Sequence, residues 1–137
     1  MNGSPGGTCG VREVYPWGYH SPMASFLDRL MHRDPDALPK NVRVDRALDL
    51  VADGAQLVDV REQSEWRSGH APQARHIPLA KLANEARRLK QDVPVVVMCA
   101  TGSRSKAAAA QLRSMGYQAT SLTGGLAAWR MAGGSVR

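Results

Sequence analysis

Hydrophobic and polar positions fall in two alternating kinds of block along most of this chain. From position 42 onward, a stretch that suits a strand is repeatedly followed by one that suits a helix. Val42-Arg43-Val44 reads as a short strand. Asp45 can cap the helix after it, where Ala47, Leu48, Leu50 and Val51 supply the apolar positions and Gly54 ends the run. Leu57-Val58-Asp59-Val60 is a buried strand bounded by Arg61-Glu62, and a brief helix around 63–67 closes at Gly69. His76-Ile77-Pro78-Leu79 is a short extended piece. Positions 81–90 predict a helix, with Leu82, Ala86 and Leu89 at i, i+4 and i+7. The most apolar run, Val95-Val96-Val97-Met98, predicts a central strand covered on both faces. An Ala-rich helix over 105–115 stops at Gly116, a last strand covers 119–122, and Gly124-Gly125 lead into a helical turn containing Trp129. Strands alternating with helices imply an α/β fold, a mainly parallel sheet with helices on both faces.

The N-terminal part does not follow this pattern. Positions 1–22 are rich in Gly and Pro and carry neither the helical nor the strand period, which predicts a mobile segment. Phe26, Leu27, Leu30 and Met31 share a helical face, so a short helix is expected within 23–33, ended by Asp34-Pro35 and Leu38-Pro39. The expected organisation is an N-terminal extension over 1–40 and one domain over 41–137.

Composition narrows the function classes. A chain of 137 residues supports a single core, and 43% hydrophobic with 22% charged residues is ordinary for a globular domain. No apolar run reaches the roughly 20 residues that cross a bilayer, and the start does not resemble a secretory signal, so no membrane is implied and a cytoplasmic location is expected. The formal charge is +6. Arg12, Arg29, Arg33 and Lys40 are balanced by Glu13, Asp28, Asp34 and Asp36, which leaves the excess in the later domain. A basic domain suits small anions or acidic partner surfaces, or serves solubility alone. Nucleic acid is not expected, because aromatics are 5% of the chain and are not interleaved with basic clusters. Cys9 and Cys99 are far apart and form no CxxC pair or zinc spacing, so no metal and no organic cofactor are implied. In a reducing compartment a disulfide between them is disfavoured.

The remaining candidate chemistry is concentrated in Cys99-Ala100-Thr101-Gly102-Ser103-Arg104-Ser105. This stretch joins the apolar strand to a helix start, where open α/β sheets place their ligands. A tight loop around Gly102 can turn several amides inward, and the helix adds unpaired amides and the positive end of its dipole. Arg104 adds a permanent cation. Each of these favours thiolate over thiol at Cys99. The alternative is a small buried hydrophobe at a strand end. The C-x4-R spacing is one residue shorter than the C-x5-R of cysteine-dependent phosphatases, and Met98 precedes the cysteine. A shorter ring of amides accommodates one extra sulfur better than a tetrahedral phosphoryl group.

Five segments resemble single-domain rhodaneses in order and spacing. They are Leu57-Val58-Asp59-Val60-Arg61-Glu62, Trp66-Arg67-Ser68-Gly69-His70, Ile77-Pro78-Leu79, the Cys99 loop with Arg104-Ser105, and Leu122-Thr123-Gly124-Gly125-Leu126-Ala127-Ala128-Trp129. The resemblance covers about 41–133. It implies a five-stranded, mainly parallel sheet flanked by helices, with Cys99 as the sulfur acceptor. It further implies that Cys99 attacks a sulfane donor such as thiosulfate, that the 100–104 amides hold the resulting persulfide, and that cyanide, a thiol or a partner protein takes the sulfur. Arg104 either holds the anionic donor or clamps the loop. Asp59 and Arg61 look structural by the same resemblance, His70 serves by hydrogen bonding rather than as a base, and Trp129 packs under the last turn. Two departures stand out: Gln73 replaces a turn glycine, and Ala100 and Ser103 bring no charge where relatives often carry a basic residue. These neutral positions motivate an alternative, a persulfide carrier loaded by protein sulfur donors and unloaded by protein acceptors. A phosphatase or arsenate reductase is the less favoured third reading.

Overall fold

A computed structural model describes residues 38–137, and within it the expected alternation becomes a five-stranded sheet. The strands are β1 (Asn41–Val42), β2 (Gln56–Asp59), β3 (Arg75–His76), β4 (Val95–Met98) and β5 (Ala119–Leu122). Their spatial order is β1-β5-β4-β2-β3, and every neighbouring pair is parallel. The helices are α1 (Val44–Ala52), α2 (Gln63–Ser68), α3 (Leu82–Glu85), α4 (Ser103–Ser114) and α5 (Gly125–Met131). Leu38–Arg137 form one compact unit, while the helix expected within 23–33 and Cys9 lie outside the described residues.

β4 is the middle strand because it can lose both faces to protein. All four of its residues are buried, and it pairs with β2 through Val58↔Val97 and with β5 through Val97↔Ser121. Side chains alternate along a strand, so Val95, Val97 and then Cys99 face one layer. That layer is a single cluster with Val58, Val60, Ile77, Leu82, Ala86, Ala108, Ala109 and Leu112. On the other side α1 lies against β4 and α5, whose Trp129 is fully buried. The Trp129 indole donates to the Ser135 carbonyl at 2.9 Å, which satisfies its polar edge inside the core.

Strand ends shift, with Gln56–Asp59 for the expected 57–60 and Arg75–His76 for the expected 76–79, and three further boundaries differ in ways that matter to the packing or the site. Val44 opens α1 rather than closing a strand, with Arg43 as the flanking residue, and Asp45 sits in the first turn and accepts the Arg46 amide. α4 starts at Ser103, two residues early, so Arg104 is helical. The helix expected over 81–90 breaks into a 3-10 turn (Leu79–Lys81), α3 and a second 3-10 turn (Ala86–Arg88). Distant side chains engage the groups at its C-terminal end. The Tyr117 hydroxyl donates to the Ala86 carbonyl at 2.7 Å, and the Lys90 amide donates to Gln56 Oε1 at 2.9 Å. Both groups needed for the next helical hydrogen bond are thereby occupied. Leu82, Ala86 and Leu89 are nonetheless all buried, as their spacing implied.

Candidate functional site

β4 carries the chain to Cys99 at the centre of the sheet, and the next six residues wrap its sulfur. Gly102 has φ +116, a conformation L side chains rarely adopt, and it reverses the chain directly before α4. The reversal turns the Gly102 amide back onto Cys99 Sγ at 3.0 Å. Burial works to raise the Cys99 thiol. The Ser105 hydroxyl and the amides of Ser105, Gly102 and Thr101 outweigh it and hold the thiol below its ordinary range. Cys99 is fully buried, and burial alone would make an inert apolar cysteine. What distinguishes it is this convergence of donors on one sulfur. Around the loop Thr101 and Ser103 are exposed and Ala100 is half-buried.

The loop's carbonyl side is fixed by α5. The Leu126 amide donates to the Cys99 carbonyl at 2.8 Å, and the Ala127 amide to the Ala100 carbonyl at 3.4 Å. This contact needs Gly125. A Cβ there would meet the Cys99 carbonyl oxygen and would lie 2.6 Å from the Ala100 carbonyl carbon and oxygen. The obstructing atoms are backbone and cannot rotate away. Gly125→Ala is expected to destabilise the fold by about 1–3 kcal/mol and to slow alkylation of Cys99. Thermal denaturation and alkylation rates check both, and parent-like values in both would show that the loop is free to shift.

Arg104 points its charge at protein. Its two terminal nitrogens donate to Glu65 Oε1 at 2.6 Å and Oε2 at 2.9 Å, a bidentate pair with both side chains about one-third exposed (33%). Glu65 also accepts the Glu62 amide in a capping box at the start of α2. The hydrogen bonds from Arg104 lower the Glu65 carboxyl from 4.5 to about 2. The same pairing raises Arg104 above its already high ordinary value. A depressed carboxyl stabilises the fold fully above its unfolded value, so this contribution is complete above about 4.5 and drains away as pH falls toward 2. Glu65→Gln should therefore cost at most about 1 kcal/mol at neutral pH and flatten that part of the acid limb. Denaturation midpoints followed from pH 7 to 2 test this, and identical acid limbs in parent and variant would contradict it.

Asp59 and Arg61 form a buried brace beside the loop. Arg61 Nε and Nη2 donate to the Asp59 carboxylate at 2.8–2.9 Å, and the Arg61 amide donates to Asp59 Oδ1 at 3.0 Å. The remaining guanidinium hydrogens reach the Gly69 carbonyl at 2.7 Å and the Glu65 carbonyl at 3.2 Å. The pair thus ties β2 to the C-terminal turn of α2, the helix that presents Glu65. His70 Nδ1 lies 2.8 Å from the Trp66 carbonyl, and its ring stacks on Trp66 with centroids 3.6 Å apart. His70 also exchanges two backbone hydrogen bonds with Arg137. The expected turn around Gln73 is closed by the Ala74 amide on the Ala71 carbonyl at 3.0 Å, with Gln73 exposed.

The structure therefore gathers Cys99, Thr101, Gly102 and Ser105 around one sulfur. It directs Arg104 to Glu65 and keeps Asp59, Arg61 and His70 in supporting contacts. Glu65 and Gly125 are the residues that sequence reasoning missed. Glu65 had a signal in the Glu62-x-x-Glu65 capping box, and Gly125 in the paired glycines ahead of α5. Among the described residues no three His, Cys, Asp or Glu side chains are grouped to hold a metal ion, and no helix is long and apolar enough to cross a membrane.

Comparison with known proteins gives a family and fold match. The family described as rhodanese-like domain matches residues 43–132. The chain is 37% identical over 92 residues to thiosulfate sulfurtransferase GlpE of Pseudomonas fluorescens (strain SBW25), covering 66% of this chain and 84% of that protein. It is 39% identical over 84 residues to the uncharacterized protein YqhL of Bacillus subtilis (strain 168), covering 61% of this chain and 64% of that one. Among solved structures, a rhodanese-related protein from Thermoplasma volcanium superposes with a TM-score of 0.66 at 26% identity, over 72% of this chain and 98% of that chain.

Proposed function

The chain belongs to the rhodanese-like domain family, and from that premise we propose that it is a sulfurtransferase that carries sulfane sulfur as a persulfide on Cys99. The observation that carries the reading is the Gly102 amide at 3.0 Å from Cys99 Sγ, with the Ser105 hydroxyl 3.6 Å from the same sulfur. Donors so placed stabilise an anionic sulfur, first as thiolate and then as the outer atom of a persulfide. With thiosulfate as donor, the Cys99 thiolate attacks the outer sulfur. A new S–S bond forms, the S–S bond to the sulfonate breaks, and sulfite leaves with the electron pair. Cyanide or a thiolate then attacks the persulfide's outer sulfur and regenerates the Cys99 thiolate. No step requires a strong base once the thiolate exists, which suits the hydrogen-bonding role of His70.

A second reading of the donor is favoured by the Arg104–Glu65 pair. Within 99–105 Arg104 is the one charged residue, and its guanidinium is engaged on both sides of a carboxylate. A free dianion would meet no unpaired cation from this loop. Sulfur delivered on a thiol, as a persulfide of a small molecule or of a protein, needs none. Full burial of Cys99 likewise suits end-on delivery of one sulfur atom rather than attack on a tetrahedral phosphoryl group. The test measures thiocyanate production from thiosulfate and cyanide beside sulfur loading from a protein persulfide. Fast turnover of thiosulfate supports the small-anion donor, and slow turnover with rapid loading supports the carrier. Failure with both donors would overturn the function.

A further inference from the structure

Ser121 lies on β5, 1% exposed, and has no part in the chemistry described so far. Its hydroxyl is 2.8 Å from that of Ser105. The Ser105 hydroxyl is in turn 3.0 Å from the Gly102 carbonyl and 3.6 Å from Cys99 Sγ. From this contiguous line of buried polar atoms we infer that Ser121 is a positioning residue, one that orients the Ser105 proton and so supports the Cys99 thiolate. The inference rests on Cys99 being the working thiol.

Counting protons gives the direction of the chain. Each hydroxyl has one proton to donate and two lone pairs to accept with. Suppose Ser105 gave its proton to Ser121. The Gly102 carbonyl and the sulfur would then both lose the Ser105 donor, and the Ser121 proton would have no partner among the described hydrogen bonds. Burying such a proton unpaired is costly. With Ser121 donating to Ser105 and Ser105 to the Gly102 carbonyl, both serine protons have an acceptor. In the thiol form the Cys99 S–H donates to Ser105 Oγ, and Ser105 donates to the Gly102 carbonyl. Once the sulfur is ionised it becomes an acceptor, and the Ser105 proton can swing onto it. Ser121 donates in both states. A hydroxyl that accepts a hydrogen bond is a stronger donor, so the Ser121 contact favours the ionised form. Arg104 is the charged side chain beside this sulfur, and its charge is paired with Glu65.

The test uses the full chain with Cys9→Ser, so that Cys99 is the thiol that reports, and follows the rate of iodoacetamide alkylation against pH. Ser121→Ala should move the midpoint of the profile upward. Alkylation at a pH on the rising limb should fall about tenfold, with a parent-like melting transition by circular dichroism. Ser121→Thr keeps the hydroxyl and should restore most of the rate. In a Ser105→Ala background, Ser121→Ala should have no further effect, because its action runs through Ser105. A Ser121→Ala profile that superposes on the parent, or an equal shift in both backgrounds, would overturn the inference. The readout needs no sulfur donor, so a protein that alkylates as expected but transfers no sulfur would refute the proposed function and leave the Ser121 assignment standing.

Discussion

Replacing Cys99 by serine is expected to remove the proposed sulfur transfer while leaving the fold in place. The proposed reaction depends on a nucleophile that is anionic at neutral pH and can hold a second sulfur. A serine hydroxyl is neither ionised under these conditions nor an acceptor of sulfane sulfur. The loss should reach the uncatalysed rate, on the order of a thousandfold or more, as when other covalent nucleophiles are removed. The exchange is nearly isosteric, and the amides that faced the sulfur still meet an acceptor, so the melting temperature should stay close to the parent's. Thiocyanate production checks the first part and thermal denaturation the second. Retained turnover in a folded Cys99→Ser protein would place the chemistry elsewhere.

The largest effect on stability is expected at Asp59. Its carboxylate is fully buried and receives three side-chain hydrogen bonds from Arg61, itself 5% exposed, plus the Arg61 amide. Asp59→Asn keeps the shape but removes the charge, and its amide group now faces a cation. Stranding one partner of a buried ion pair costs about 3–5 kcal/mol. In a domain of this size that is a fall in melting temperature on the order of 15 °C. The carbonyls of Gly69 and Glu65 still accept from Arg61 but do not balance its charge. Asp59→Leu combined with Arg61→Met should be milder than Asp59→Asn, since the double change leaves no charge unpaired. If Asp59→Asn melts within a few degrees of the parent, the brace is not a major source of stability.

What could be read from the sequence was set by local pattern. The run Val95-Val96-Val97-Met98 had to be covered on both faces, and that placed Cys99 at the end of the central strand. The loop's glycine and the helix start lie within six residues of the cysteine, so the amide cradle was legible as well. The sequence marks Arg104 as a cation beside the loop but cannot assign it, because its partner Glu65 lies 39 positions away and no periodicity links them. For Asp59 and Arg61 the sequence offers only the family resemblance, and the hydrogen bonds between them are visible only in the folded chain. The broken helix after Leu79 had the same obstacle as Arg104. The groups that engage its C-terminal end come from Tyr117 and Gln56, 31 and 34 residues distant. Ser121 was invisible for a different reason. In a buried parallel strand a serine looks like any small polar filler until a second hydroxyl is seen beside it.

Intact-protein mass spectrometry reads the proposed Cys99 persulfide directly. The parent and Cys99→Ser are each incubated with thiosulfate and, separately, with a protein persulfide donor. A gain of one sulfur atom, ~32 Da, is expected on the parent alone, reversed by cyanide as the terminal sulfur is taken off. No gain with either donor, or a gain that persists in Cys99→Ser, would contradict it.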